Sequence, residues 1–545
     1  MPRKYTQHIA SSAGQADILP GMVANSAGGA AYPVDDWKRL ERFLVLGSEG
    51  GSYYAAERAL TRENAVSVEA CLAADAARAV DMIVAISASG RAPKNEPAIF
   101  ALALAAAHPK EEVRAAALAA LPKVCRIGTH LFQFAEAVNE LRGWGRGLRR
   151  AVADWYLDKP VDAVALQAVK YKQREGWSHR DLLRLAHPAA PEDDGARRAL
   201  FDWMCGREVE AEILPRLARA NDAALAAQSA AEVAQLVRET SLPREAVPPE
   251  WQNDREVWDA LLADMPMTAM IRTLNRMTAA GLLMPMSDAA RFVAGRIEDG
   301  RALATARVHP LALLIAQTTY AGGRGLRGKL SWEPVREVVD ALDRAFYLAF
   351  EVVEPADKRI LLALDVSGSM DAGQVAGAPL TPREGAAAMA LITVATEART
   401  HCVAFSAAGP QGWKSPFGSR YSGYTDGLTP LHLSPKQRLD DVVARTRELP
   451  FGGTDCALPM LYAIERKLAV DAFVVYTDSE TWAGKVHPVE ALRRYRSETG
   501  VAAKLVVVGM VANGFSIADP SDSGTLDVVG FDAAAPAVIA DFLRG

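Results

Sequence analysis

The chain has 545 residues, 50% hydrophobic and 23% charged, with a formal net charge of -5. This composition is that of an ordinary globular protein long enough for two or more domains. The acidic balance excludes nonspecific coating of nucleic acid by the whole surface and leaves a local basic patch as the only route to that role. Cys71, Cys125, Cys205, Cys402 and Cys456 are scattered, with no C-x-x-C, so reduced thiols are expected rather than a disulfide framework.

Residues 1–34 are rich in Gly, Ala and Ser without periodicity and read as an N-terminal arm or a loosely docked strap. The opening "MPRKYTQHIASSAGQADILPG" lacks a signal-peptide apolar region, and "IFALALAAA" (99–107) is far short of the ~20 residues of a membrane span. No membrane association and a cytoplasmic location are therefore expected.

From 35 to 355 the sequence is a succession of helical patterns. In "EPAIFALALAAAHPKEEVRAAALAALPKVC" (96–125) two Ala-rich apolar stretches flank "HPKEE", the pattern of an antiparallel helix pair. Pairs of this kind in series predict helical repeats of the HEAT or armadillo type, each burying its apolar face on the next.

Within this region, "ALQAVKYKQREGWSHRDLLRLAHP" (165–188) carries basic stripes. The spacing puts Gln167, Lys170 and Arg174 on one helical face, lets Gly176 end that helix, and lets Ser178 cap the next through an S-x-x-D box with Asp181. Arg180, Arg184 and His187 align on that second helix. Upstream, "ELRGWGRGLRRAVADWY" adds Arg142, Arg146, Arg149 and Arg150, and "VCRIGTHLFQF" adds Arg126, Thr129 and His130. Across 123–187 there are 12 Lys or Arg against 7 Asp or Glu, a local excess of +5 in an acidic chain. Any one of these residues alone is better read as a solvated helix face, and His130 and His179 also fit as packed histidines. Their clustering among Trp, Tyr and Phe favours a polyanion with unpaired bases.

Beyond "EVVEPADKR" (351–359) the pattern changes. Strand-like runs at 360–366, 401–406, 472–478 and 503–511 alternate with helical ones at 382–399, 434–447, 456–468 and 487–497, the signature of a parallel sheet wrapped by helices. Residues 407–432 read as a long surface loop. The run "LLALDVSGSMDAG" (361–373) ends in Asp365, Ser367 and Ser369, and Thr454 and Asp478 close two later segments. Ligands bind beyond the carboxyl ends of such strands. Five converging oxygens with few charges suit a hard, partly hydrated divalent cation, Mg²⁺ ahead of Ca²⁺ or Mn²⁺, with one coordination position open. Taken alone, D-x-S-x-S reads equally well as a strand-end turn.

These segments resemble a von Willebrand factor type A domain with a metal-ion-dependent adhesion site, whose five positions match Asp365, Ser367, Ser369, Thr454 and Asp478. The resemblance implies that a partner's carboxylate completes the metal site, which binds and does not catalyse. A wider resemblance rests on "GSEGGSYY" (47–54), "CRIGTHLF" (125–132), "WGRGLRRAVADWY" (144–156), "KYKQREGWSHRDLLRL" (170–185), "GLRGKLSW" (325–332) and the segments from "GGTDCALPM" to "GFSIADP" (452–520). In that order they are similar to the Ro autoantigen, or TROVE-domain, family, including its bacterial Rsr members. The resemblance implies an N-terminal arm (1–34), a ring of HEAT-like helical repeats (35–355) and a C-terminal α/β von Willebrand factor A domain (356–545). It implies Y RNA on the outer surface, held by Lys170, Arg174 and His187 with Lys172 and His179 nearby, and RNA binding by Arg126, Thr129 and His130. It also implies passage of the single-stranded ends of misfolded RNA through the central hole, a monomeric ring, and an exoribonuclease tethered through Y RNA.

Other signals carry less. "GRGLRG", with Gly323, Gly325 and Gly328, follows a helical pattern and not a strand, so it is weak as a dinucleotide site. Glu480 and His487 near the metal loops invite a hydrolase reading that nothing else supports. The sequence therefore favours a non-enzymatic RNA binder, with a metal-dependent protein-adhesion or chaperone-adaptor module as the rival.

Overall fold

A computed structural model describes residues 17–18, 22–24, 30–33, 35–46, 65–89, 92, 95–325, 329–371, 374–375, 378–406, 427–449, 454–478, 481, 486–510, 515–519, 522, 524–529 and 535–544. The motif at 47–54, the loop at 407–426, Gly328, Gly452, Gly453 and Glu480 lie outside the described residues. Packing groups the chain into two units, Leu60–Ala306 with Ala316–Ala345, and Met1–Ala59 with Arg307–Ile315 and Phe346–Gly545. The segments Met1–Ala59 and Arg307–Ile315 thus group with the C-terminal domain, which composition does not announce.

The first unit is helical. Helix α1 (Glu96–Ala106) is buried on all sides, as an Ala/Leu helix without a polar face must be, and α2 (Glu111–Val124) packs Val113, Ala117, Ala120, Leu121 and Val124 inward at helical spacing. These are the two stretches predicted as an antiparallel pair. Next come α3 (Gly128–Leu141), α4 (Arg146–Leu157) and α5 (Val161–Lys170). Trp155, 1% exposed, donates its indole N–H to the Cys125 carbonyl at 2.6 Å and so ties α4 to the end of α2.

The sequence pattern places Lys170 and Arg174 on one helix. The structure corrects this: α5 ends at Lys170, and Gln173–Arg174 (β1) pairs antiparallel with Trp177–Ser178 (β2). Glu175 and Gly176 turn the hairpin with φ of 49° and 77°, the positive pair that a two-residue hairpin turn requires. Ser178 then caps α6 (His179–Ala186) in a reciprocal box with Asp181, as the sequence predicts. His187 is a left-handed C-cap with φ 49°, so it leaves the face shared by Arg180 and Arg184.

The second unit carries a six-stranded sheet. In chain order its elements are β3 (Arg359–Asp365), α7 (Pro382–Thr396), β4 (Arg399–Phe405), β5 (Leu428–Leu431), α8 (Leu439–Arg447), α9 (Leu458–Glu465), β6 (Ala472–Thr477), α10 (Pro488–Thr499), β7 (Lys504–Gly509) and β8 (Thr525–Val529). The spatial order is β8-β7-β6-β3-β4-β5, parallel except for the antiparallel edge strand β5. The chain therefore leaves β3 toward β4 on one side and returns to β6 on the other, which opens a crevice at the carboxyl ends of β3 and β6.

Two details depart from the sequence expectation. Leu428–Leu431 is a strand and not part of a loop, because Leu428 and Leu431 bury their side chains while Pro430 sits on an edge strand that tolerates it. Strand β8 escapes the pattern because Asp527 interrupts its apolar run; Asp527 is 7% exposed and accepts the Ser516 hydroxyl at 2.9 Å. At the N-terminus, Ala30–Pro33 pairs with Phe515–Ser516, a docked strap.

At the amino ends of the strands, Arg359 grips Asp471 through its backbone N–H and Nε, both at 2.9 Å to Oδ2. These bonds hold the Asp471 carboxyl down at about 2. A depressed carboxylate stabilises the fold above its unfolded value of about 4 and loses that contribution as pH falls toward 2. The stability difference between wild type and Asp471→Asn should accordingly be full at pH 6 and should shrink below about pH 4. Urea unfolding across this range measures it, and a constant difference contradicts the assignment.

Candidate metal centre and basic face

At the crevice between β3 and β6 lie Asp365, at the end of β3, Ser367 and Ser369 on the loop that follows it, and Asp478 just beyond β6; Thr454 is buried, and its carbonyl accepts the Thr481 hydroxyl at 3.4 Å. Parallel pairing of Leu364 with Tyr476 puts Asp365, at the end of β3, beside the end of β6 and the Asp478 that follows. Asp365, Ser367, Thr454 and Asp478 are 1%, 3%, 3% and 4% exposed, whereas Ser369 is exposed. The loop is folded tightly: Ser367 N–H donates to Asp365 Oδ1 at 2.8 Å, and the Ser367 and Ser369 hydroxyls lie 3.1 Å apart. Thr477, which the motif does not single out, donates its hydroxyl to Asp365 Oδ2 at 2.7 Å. Its signal in the sequence is its place, one residue ahead of Asp478.

Burial, and then the charge of Asp478, push the Asp365 carboxyl up to about 7 despite those hydrogen bonds. Two carboxylates buried together repel each other and lose hydration, which a bound cation offsets on both counts. Among the described residues no group of three or more His, Cys, Asp or Glu is arranged to hold a metal. The candidate donors are instead two carboxylates and three hydroxyls, a chemistry that suits a hard divalent cation better than zinc or copper.

His487 is not available for chemistry. It is fully buried, its Nε2 lies 3.0 Å from the Ala30 carbonyl, and its Nδ1 accepts Val489 N–H at the start of α10. Both ring nitrogens serve the fold.

In the helical unit the predicted RNA-binding residues separate into three groups. Lys172, Arg174 and His187 are exposed; Lys170 is half-buried with its ammonium 5.5 Å from the Tyr171 ring centre. Arg174 lies beside Glu175 at 2.9 Å, in an open pair that screening weakens. Arg126 presents an exposed surface, but its guanidinium also binds the Ser87 carbonyl at 2.9 Å and the Lys123 carbonyl at 2.8 Å. Thr129 and His130 are half-buried; His130 lies 3.2 Å from the Asn95 amide, and burial with the Arg126 charge lowers its pKa to about 4.

His179 forms the third group and is a correction. It is 4% exposed, bonded to the Tyr156 hydroxyl at 2.7 Å, and edge-on to Phe132 at 4.7 Å. A Cβ on Gly128 would lie 2.9 Å from its Nε2, so the backbone of α3 closes over the ring. The apolar face of α6 points inward, and the first residue after the Ser178 cap falls on that face. Arg180 and Arg184 lie on the exposed face of the same helix and continue the basic surface.

Sequence and structure comparisons agree with this layout. The TROVE domain model matches residues 23–213 and 227–321, and the Ro60 vWA domain model matches residues 359–543. The chain is 44% identical over 529 residues to "RNA-binding protein RO60" of Deinococcus radiodurans, covering 96% of this chain and 95% of that protein. It is 36% identical over 608 residues to "RNA-binding protein RO60" of Caenorhabditis elegans, covering 97% and 91%. The crystal structure of the Deinococcus radiodurans RO (RSR) protein aligns with a TM-score of 0.75 at 44% identity, over 94% of this chain and all of that one.

Burial lowers the His179 pKa to about 4. A histidine kept neutral in the fold stabilises it above the unfolded value of about 6.5, and that contribution is lost as pH falls toward 4. His179→Phe should destabilise the helical unit by about 1–3 kcal/mol at pH 7, through the unpaired Tyr156 hydroxyl, and by less at pH 5. Denaturant titrations at the two pH values check the sign.

Proposed function

This chain belongs to the Ro60 family, a TROVE domain followed by a Ro60-type vWA domain, and from that premise we propose an RNA-binding protein of small-RNA stability and RNA quality control. The observation that carries the reading is the exposed basic surface of Lys172, Arg174, Arg180, Arg184 and His187 in a segment whose charge is opposite to that of the whole chain. Positive charge on adjacent elements meets a phosphate chain, and neighbouring aromatic residues accept unpaired bases. The finer reading is Y RNA held by Lys170, Arg174 and His187, with Lys172 and Arg126 beside them. The single-stranded end of misfolded RNA would enter a central hole, and an exoribonuclease would be tethered through Y RNA. The protein would act as a cytoplasmic monomer and would not itself be an enzyme.

In this reading the C-terminal unit attaches and does not catalyse. Asp365, Ser367, Ser369, Thr454 and Asp478 would hold Mg²⁺, which supplies a Lewis-acidic position for a carboxylate of a protein partner. The same donor set supports the second reading, an adhesion or adaptor module with the helices as scaffold.

Lys170→Ala with Arg174→Ala and His187→Ala should weaken filter binding of a structured small RNA and flatten its salt dependence, by about one unit of slope for each phosphate left without its cation. The RNA should be recovered at full length after incubation with Mg²⁺. Unchanged affinity and slope favour the adaptor reading. Ser367→Ala with Ser369→Ala should abolish Mg²⁺ binding by calorimetry while RNA affinity persists; loss of both together would show the two activities to be coupled.

A further inference from the structure

Arg383 is the second residue of α7 and is 2% exposed. An arginine in that position, in an otherwise Ala-rich buried helix, needs partners for every donor it presents. Each of its three nitrogens is bonded, two of them to the loop that follows β3 and the third to α8. Its Nε donates to Asp371 Oδ1 at 2.6 Å and its Nη2 to Asp371 Oδ2 at 2.7 Å, a two-pronged pair. Nη2 also reaches the carbonyls of Val366 at 3.2 Å and Ser367 at 3.4 Å, and Nη1 donates to the Thr446 carbonyl at the end of α8, at 2.9 Å.

These bonds bracket the metal loop. Val366 and Ser367 begin it, and Asp371 ends the short turn Gly368–Asp371 that carries Ser369. One planar group thus holds both ends of the segment from which the Ser367 and Ser369 hydroxyls project, and anchors it to α7 and α8. A lysine offers three donors from a single point and cannot span the carboxylate and the carbonyls together.

We infer that Arg383, with Asp371, is a positioning residue for the metal centre, holding the loop so that both serine hydroxyls face the cation. This inference rests on the metal reading above. Groups that orient metal ligands are worth about 10- to 100-fold in affinity when removed. The full-length protein carries the test, with Mn²⁺ as the probe, read by calorimetry and by the water proton relaxation of the bound ion.

Arg383→Lys should weaken Mn²⁺ by about 10- to 100-fold. It should also raise the relaxation per bound ion, because water replaces a misplaced hydroxyl; a loss of general stability alone would leave the hydration of the bound ion unchanged. Asp371→Ala removes the paired carboxylate, whose side chain is 46% exposed so that water can reach the guanidinium in its place, and should act in the same direction. If wild type binds Mn²⁺ and both variants bind it with the same affinity and hydration, the inference is overturned alone. If Arg383→Lys fails to fold, Asp371→Ala decides by itself, and unchanged affinity there overturns the proposal. If wild type binds no Mn²⁺, the metal reading falls and this inference with it.

Discussion

Asp365 and Asp478 sit next to each other, out of water, at the carboxyl edge of a parallel sheet. Two like charges in such a place cost more than the neighbouring hydroxyls and amide can offset, and the arrangement is stable only with a positive charge or a proton between them. Much of the C-terminal unit follows from that demand. The strand order puts its reversal between β3 and β6, so the two carboxylates come from adjacent strand ends. The loop after β3 folds back on Asp365 through Ser367, and Thr477 closes the other oxygen. Arg383 lies behind the loop and serves its carbonyls, and its charge is balanced by Asp371 and not by the Asp365–Asp478 pair.

The helical unit obeys a different constraint. Its helices are rich in alanine and bury their apolar faces on one another, which leaves long charged side chains on the outside. Where those side chains are mostly basic, the surface attracts a polyanion; where they are mixed, it does not. The hairpin at Gln173–Ser178 interrupts the helical series and holds Arg174 away from α5, with Trp177 opposite it in the pairing. Trp177 is fixed by its indole N–H to Glu136 and by a tilted ring contact with Trp144 at 5.5 Å. Arg174 thus projects from a hairpin braced by Trp177, while Arg180 and Arg184 project from the helix that follows it.

Some features are legible in the sequence because they depend on local chemistry. The capping box at Ser178 and Asp181 is three residues of backbone geometry, and nothing distant can move it. The strands at the centre of the sheet are continuous apolar runs because both faces are covered. Other features are lost where the local pattern is ambiguous. A helical stripe through Lys170 and Arg174 is compatible with the spacing, but the turn propensity of Glu175-Gly176 wins. His179 looks like a neighbour of the basic stripe, yet the helix phase that exposes Arg180 and Arg184 turns His179 into the core.

By itself, then, the sequence determined the class of each half, the central strands and helices of the C-terminal unit, and the strand-end loop on which Asp365, Ser367 and Ser369 lie together. Alternation of apolar runs, caps and glycines records these things locally. Only the tertiary structure decided which basic residues remain on the surface, that Thr477 and Arg383 support the oxygen cluster, and that the strap at Ala30–Pro33 pairs with Phe515–Ser516. Those facts join residues far apart in the chain, and hydrogen bonds across such separations leave no periodicity in the sequence from which to read them.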